Sequence, residues 1–216
     1  MSASPLLLFV TGAATGLLGS MLGLGGGVLL VPLLTLALGV PIRVAIAASL
    51  ISVMATAIAS ASVNLDRGLV NLRLGLLLEV ATASGALLGG LVAAYLSPRQ
   101  LYVIFAVTMA SMGVVMALRS GRRNVMTDLS ADVGVLGGRL QEGETVYVYQ
   151  VRRLGVGVFA SLVAGAISGL LGLGGGIVKV PILNTFCGIP IRVAAATSTF
   201  MIGITTAASA FLYYGR

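Results

Sequence analysis

Apolar residues run along the chain in six long blocks, separated by short polar or turn-forming breaks. The blocks are Leu6–Leu38, Ile42–Val63, Leu69–Leu96, Leu101–Leu118, Leu154–Cys187 and Ile191–Tyr214. A helical span of a bilayer takes about 20 residues. Lipid offers no partner to backbone polar groups, so blocks of this kind are predicted to be helices. Pro41, Pro98 and Pro190 stand at block starts, where a missing N–H costs little. Asn64–Gly68 is a turn between two blocks. The one substantial polar stretch is Arg119–Arg153, in which Gly137, Gly138 and Gly143 mark turns. Glu144–Arg152 is β-like in composition, so this stretch is read as a small solvent-exposed hairpin, a partly ordered loop or a plain linker between two halves.

Composition sharpens the class. Of 216 residues, 58% are hydrophobic and 9% charged, and the mean hydropathy is +1.09. A soluble domain carries roughly 25% charged residues, so a water-soluble enzyme is excluded. The fold class is an all-α polytopic membrane protein. A lone cysteine, Cys187, rules out a disulfide framework within the chain, and the absence of histidine removes imidazole metal sites and His-based acid–base catalysis. No catalytic constellation, metal site or cofactor motif is present, and the chain is read as a non-enzyme. Gly23–Gly27 lacks the Lys-Ser/Thr end of a phosphate loop. The net charge of +7 comes from arginines that flank apolar blocks, which fits membrane topology and not nucleic-acid binding. Arg67, Arg73, Arg119, Arg122, Arg123, Arg139, Arg152 and Arg153 fall on one side, and Arg43 and Arg99 on the other. The positive-inside rule then makes the 119–153 loop cytoplasmic, in a multi-pass protein of the cell (inner) membrane. Met1–Pro5 has no positive n-region, so no cleaved signal is expected.

The two halves repeat. A shift of 149 residues aligns Gly16–Ala61 with Gly165–Ala210 without a gap, and 22 of the 46 positions are identical. Leu22-Gly23-Leu24-Gly25-Gly26-Gly27 meets Leu171-Gly172-Leu173-Gly174-Gly175-Gly176; Pro32 meets Pro181, and Ser49 meets Ser198. Gly39-Val40-Pro41-Ile42-Arg43-Val44-Ala45 meets Gly188-Ile189-Pro190-Ile191-Arg192-Val193-Ala194. Residues 1–118 form a first transmembrane repeat, 119–153 a cytoplasmic loop and 154–216 a second repeat. A full second copy would need about two further spans, so the second repeat is expected to lack its last two.

The glycine triplets lie inside the longest block of each half. Leu6–Leu38 would be about 50 Å long as one helix, against a hydrocarbon core of about 30 Å. Consecutive glycines each weaken a helix by roughly 1 kcal/mol relative to alanine. The block is therefore expected to break near the midplane. Matched Gly/Pro-interrupted segments in two halves are the best sequence pointer to a transporter's binding site. The broken block either returns to its own side as a re-entrant hairpin, giving inverted repeats, or passes through with a kink, giving parallel ones. Its length favours the inverted form.

A broken helix exposes backbone N–H groups at the N-terminus of its second part, and these attract anions. Gly25, Gly26, Gly27, Gly174, Gly175 and Gly176 are thus candidate substrate-binding residues; close helix packing is the alternative reading. Lys179, three positions past the second triplet where the first half has Leu30, either neutralises an anion or snorkels to an interface. Glu79 is the only carboxylate inside an apolar block. It either carries a proton in coupled transport or pairs with an arginine or Lys179. Arg43 and Arg192 either gather anions at an entrance or anchor helix starts. Ser49, Ser198, Thr197, Thr199, Asn184 and Thr185 are possible hydroxyl or amide donors.

These doubled motifs resemble the sulfite exporter TauE/SafE family of membrane permeases. The resemblance rests on Gly16–Ala61 and Gly165–Ala210, with their glycine breaks, Val-Pro steps and Gly-x-Pro-x-x-x-Ala elements. It implies a transporter of sulfur-containing or organic anions such as sulfite or sulfoacetate. It also makes Gly23–Gly27 and Gly172–Gly176 the expected site, shaped by Pro32 and Pro181. The expected mechanism is alternating access at a midplane site between the glycine breaks. An anion channel and a non-transporting membrane partner subunit are the alternatives. The partners are a small anionic substrate and the lipid bilayer, and the many small residues are compatible with a homodimer.

Overall fold

The structure is a computed structural model and describes residues 5–21, 23, 25–119, 134–142 and 145–214. Met1–Ser4, Leu22 and Leu24 of the first glycine block, Arg122, Arg123, Gly143 and Glu144 lie outside the described residues.

Eight helices and one hairpin carry the described chain. Helix α1 (Pro5–Met21) is followed by α2 (Gly27–Pro32), which widens into a π-helical turn over Leu33–Ala37. Pro32 sits inside this helical run and has no N–H to give, and the wider turn follows directly. Next come α3 (Ile42–Asp66), α4 (Leu72–Ala93) and α5 (Pro98–Arg119). Strands β1 (Gly138–Glu142) and β2 (Thr145–Tyr149) pair antiparallel, with Leu140 opposite Tyr147. The chain continues through α6 (Leu154–Leu171), α7 (Gly176–Thr185) and α8 (Ile191–Tyr214). Among the described residues α3, α4, α5, α6 and α8 are long and apolar enough to cross a membrane. Phe9, Leu36, Val80, Tyr95, Phe159 and Phe211 present exposed apolar surface, as lipid-facing side chains do.

Close contacts give the helix directions. A Cβ on Gly165 would strike the Thr82 carbonyl and one on Gly169 the Ala86 carbonyl, so α4 and α6 run parallel. Helix α8 runs parallel to them: Asn71 N–H donates to Thr197 Oγ1, and Thr205 Oγ1 donates to Glu79 Oε1. Helices α3 and α8 are antiparallel, because Ala57 and Ile58 flank Gly203 while Ala210 packs on Ile42, Ile46 and Leu50. The α6–α7 pair returns to where it began. Arg152 N–H donates to the Cys187 carbonyl at 2.9 Å, joining the start of α6 to the end of α7. Helices α6 and α7 thus form a helical hairpin whose two ends meet. Helix α5 packs Phe105 and Met109 over both broken regions, against Leu30, Leu34, Leu171 and Leu173.

The hairpin is not a free solvent-exposed element. Leu140, Val148 and Tyr149 are buried, and Leu140 and Tyr149 join a core with Leu74, Leu78, Leu183 and Met201. Asn71 fixes it there. Its carboxamide oxygen caps α4 by accepting from Leu74 N–H, and its Nδ2 donates to the Leu136 carbonyl and to Tyr149 Oη. Burial pushes the Tyr149 phenol above its ordinary range.

Candidate functional site

Each interrupted region is built from left-handed glycines. Gly23, Gly25 and Gly26 have φ of 71°, 78° and 82°, and Gly172, Gly174 and Gly175 have 68°, 74° and 76°. An L side chain is strained at such angles, so the chain leaves α1 and α6 only where glycine permits it. Gly26 and Gly175 then stand as left-handed N-caps of α2 and α7.

The two regions meet inside the molecule. A Cβ on Gly25 would lie 2.9 Å from Val53 Cγ1 and 3.1 Å from Ile202 Cγ2. One on Gly174 would lie 2.7 Å from Ile202 Cγ2 and 3.0 Å from Val53 Cγ1. Val53 and Ile202 are equivalent under the 149-residue shift. A Cβ on Gly27 would lie 2.7 Å from the Gly172 carbonyl and 2.8 Å from Ser49 Oγ.

Two buried serines cross between the halves. Ser49 of α3 donates to the Gly172 carbonyl at 2.7 Å, and Ser198 of α8 donates to the Gly23 carbonyl at 3.5 Å. Donor and acceptor are related pairwise by the same shift. Each interrupted region is thus held by a helix of the other half.

Charge gathers beside the second region. Lys179 is 2% and Glu79 5% exposed, and their Nζ and Oε2 are 3.7 Å apart. Thr205 bridges them, accepting from Lys179 Nζ at 3.2 Å and lying 2.7 Å from Glu79 Oε1 as a donor. Glu79 Oε2 and Ser168 Oγ are buried without a hydrogen-bond partner. A Cβ on Gly175 would lie 3.4 Å from Ser168 Cβ and 3.5 Å from Lys179 Cε. The ammonium stem therefore runs alongside the N-terminus of α7, where Val178 and Lys179 N–H donate to the Gly175 carbonyl and the N–H groups of Gly176 and Ile177 precede the helical ladder.

The structure brings together Gly25, Gly27, Gly174, Ser49 and Ser198, and sets Lys179 and Glu79 beside Gly175. Of the partners open to Glu79 in the sequence, Lys179 is the one it meets. Gly26 packs back on the Thr15 carbonyl, and Gly176 is buried at the start of α7. Arg43 and Arg192 are exposed at the starts of α3 and α8, ten residues before Val53 and Ile202, about 15 Å along each helix. Arg43 Nη2 donates to the Leu96 carbonyl at 2.9 Å, just past the end of α4. Thr205, Ser168 and Asn71 were not singled out by sequence reasoning. Thr205 had a signal, its identity with Thr56 across the repeat; Ser168 faces Gly19 there and had none. No group of three or more His, Cys, Asp or Glu able to hold a metal occurs among the described residues.

The family model described as Sulfite exporter TauE/SafE matches residues 8–216. A probable membrane transporter protein of Bacillus subtilis (strain 168), YunE, is 28% identical over 207 residues, covering 93% of this chain and 74% of the relative. A probable membrane transporter protein of Xylella fastidiosa (strain 9a5c) is 30% identical over 200 residues, covering 91% of this chain and 70% of its own length. One of Haemophilus influenzae is 25% identical over 217 residues, with 97% and 72% covered. No solved structure matches the chain significantly.

Proposed function

The chain belongs to the sulfite exporter TauE/SafE family, whose relatives are membrane transporters and not enzymes, and from that premise we propose the cargo and mechanism. The cargo is a small sulfur-containing or organosulfonate anion such as sulfite or sulfoacetate. It binds near the midplane where the two glycine breaks meet, and crosses by alternating access. The observation that carries this reading is the buried Lys179 ammonium beside the N-terminus of α7, one turn past Gly175. A cation this deep in a membrane protein is expensive to keep and marks a pathway for anions.

The halves are read as inverted repeats. The antiparallel run of α3 and α8, the return of α7 to the start of α6, and the reciprocal serine bonds all support that orientation. With the 119–153 loop cytoplasmic, the membrane is the cell (inner) membrane. Arg43 and Arg192 then lie at opposite mouths of the pathway, and Ser49 and Ser198 hold the breaks closed around the site.

Binding to purified protein tests the reading. Sulfite and sulfoacetate are expected to bind saturably, ahead of simple carboxylates. Lys179→Ala should weaken binding by about tenfold or more, the worth of one charge-assisted hydrogen bond. Unchanged affinity in that variant would remove Lys179 from the site.

A further inference from the structure

We propose that Glu79 is the proton-coupling group of the transport cycle: it yields Lys179 to the incoming anion and takes up a proton in exchange. This rests on the anion-transport reading and adds what drives it. The Lys179–Glu79 pair is loose. At 3.7 Å it exceeds the roughly 2.7–2.9 Å of a tight charged hydrogen bond, and the Oε2 that faces Lys179 accepts no hydrogen bond although buried. An ammonium has three donors. Around Gly175, which Lys179 Cε and Ser168 Cβ both approach, two further kinds of donor suit an anion: the unpartnered Ser168 hydroxyl and the N–H groups of Gly176 and Ile177 at the start of α7.

An anion that takes Lys179 leaves Glu79 as a further, uncompensated negative charge in a water-poor interior. A proton on the Glu79 carboxylate removes that charge. Thr205 is placed to follow the change. Its Oγ1 lies 2.7 Å from Glu79 Oε1 and 3.0 Å from the Met201 carbonyl. With Glu79 ionised, the hydroxyl donates to it; with Glu79 protonated, the hydroxyl turns to Met201 and accepts from the acid. Among the described residues of the helices around the pair, no other charge intervenes. Besides Glu79, α4 carries Arg73, exposed in its first turn; α8 carries Arg192, exposed at its start; α6 carries none, and α7 only Lys179. One proton enters with each anion, and both leave when the Lys179–Glu79 pair re-forms on the other side.

Sulfoacetate is the probe, because neither of its acidic groups titrates near neutral pH. Wild-type protein in weakly buffered detergent should take up about one proton per sulfoacetate bound, and its affinity should rise up to tenfold per unit fall in pH where the empty site is deprotonated. Glu79→Gln, a neutral stand-in for the protonated acid, should bind with an affinity that no longer follows pH and with no proton uptake. Binding by wild type without proton uptake overturns the proposal, and so does undiminished uptake in the variant. The wild-type proton count decides the matter even if the variant does not fold. Absence of sulfoacetate binding by wild type would instead overturn the transport reading beneath it.

Discussion

Lys179 and Glu79 are each buried and each depends on the other for its charge. Removing one partner of a buried pair commonly costs about 3–5 kcal/mol, because the other is left uncompensated, whereas removing both often costs little. Lys179→Met is therefore expected to lower the melting temperature in detergent more than the Lys179→Met/Glu79→Gln double variant. A double variant less stable than the single one would contradict the pairing. The glycines make a second residue-scale prediction. Gly25→Ala and Gly174→Ala combine a left-handed φ with a Cβ pressed on Val53 and Ile202. Each should destabilise by about 1–3 kcal/mol, read as a loss of melting temperature. Gly12→Ala, where a Cβ meets nothing within 4 Å, should not. These glycines were legible because the duplication aligns them in register. The preference of Glu79 for Lys179 over an arginine was not, since the two residues are brought together only by the packing of α4 and α7 on α8. Asn71 was illegible for a related reason: a turn asparagine says nothing of the strand tyrosine it will bond.

At the scale of elements, the parallel α4–α6 contact is close enough to need glycine on both helices. Gly85 and Gly89 on α4 face Gly165 and Gly169 on α6, and a Cβ on any of the four would strike backbone of the other helix. Small residues four apart let two membrane helices approach this closely. Gly169→Ile should separate the helices and abolish the folded monodisperse protein, as read by size-exclusion profile. An unchanged profile and melting temperature would contradict the packing. Helix existence was plain in the apolar blocks, but helix faces were not. In a soluble protein the polar side of a helix reveals the buried one. Here Val80 and Phe159 are exposed on the same helices that bury Leu78 and Ala164, so lipid-facing and core-facing positions look alike in the sequence. The hairpin suffered the converse confusion. Its polar neighbourhood suggested exposure, while Leu140 and Tyr149 dock it on α4 and α8.

For the whole molecule, the proposed inverted relation of the halves, which the crossed serine bonds and the antiparallel α3 and α8 support, carries a topological consequence. A reporter fused at Met1 should lie outside, while a cysteine introduced at the exposed Val135 should be labelled from the cytoplasm. Finding both on one side would support parallel repeats. The central claim is that this arrangement moves a sulfur-containing anion through a site beside Lys179, and sulfoacetate counterflow in liposomes of purified protein tests it most directly. The expected result is saturable uptake of labelled sulfoacetate driven by unlabelled sulfoacetate inside, reduced about tenfold or more by Lys179→Ala. Labelled sulfoacetate that fails to accumulate, or that accumulates equally well without Lys179, would contradict the account.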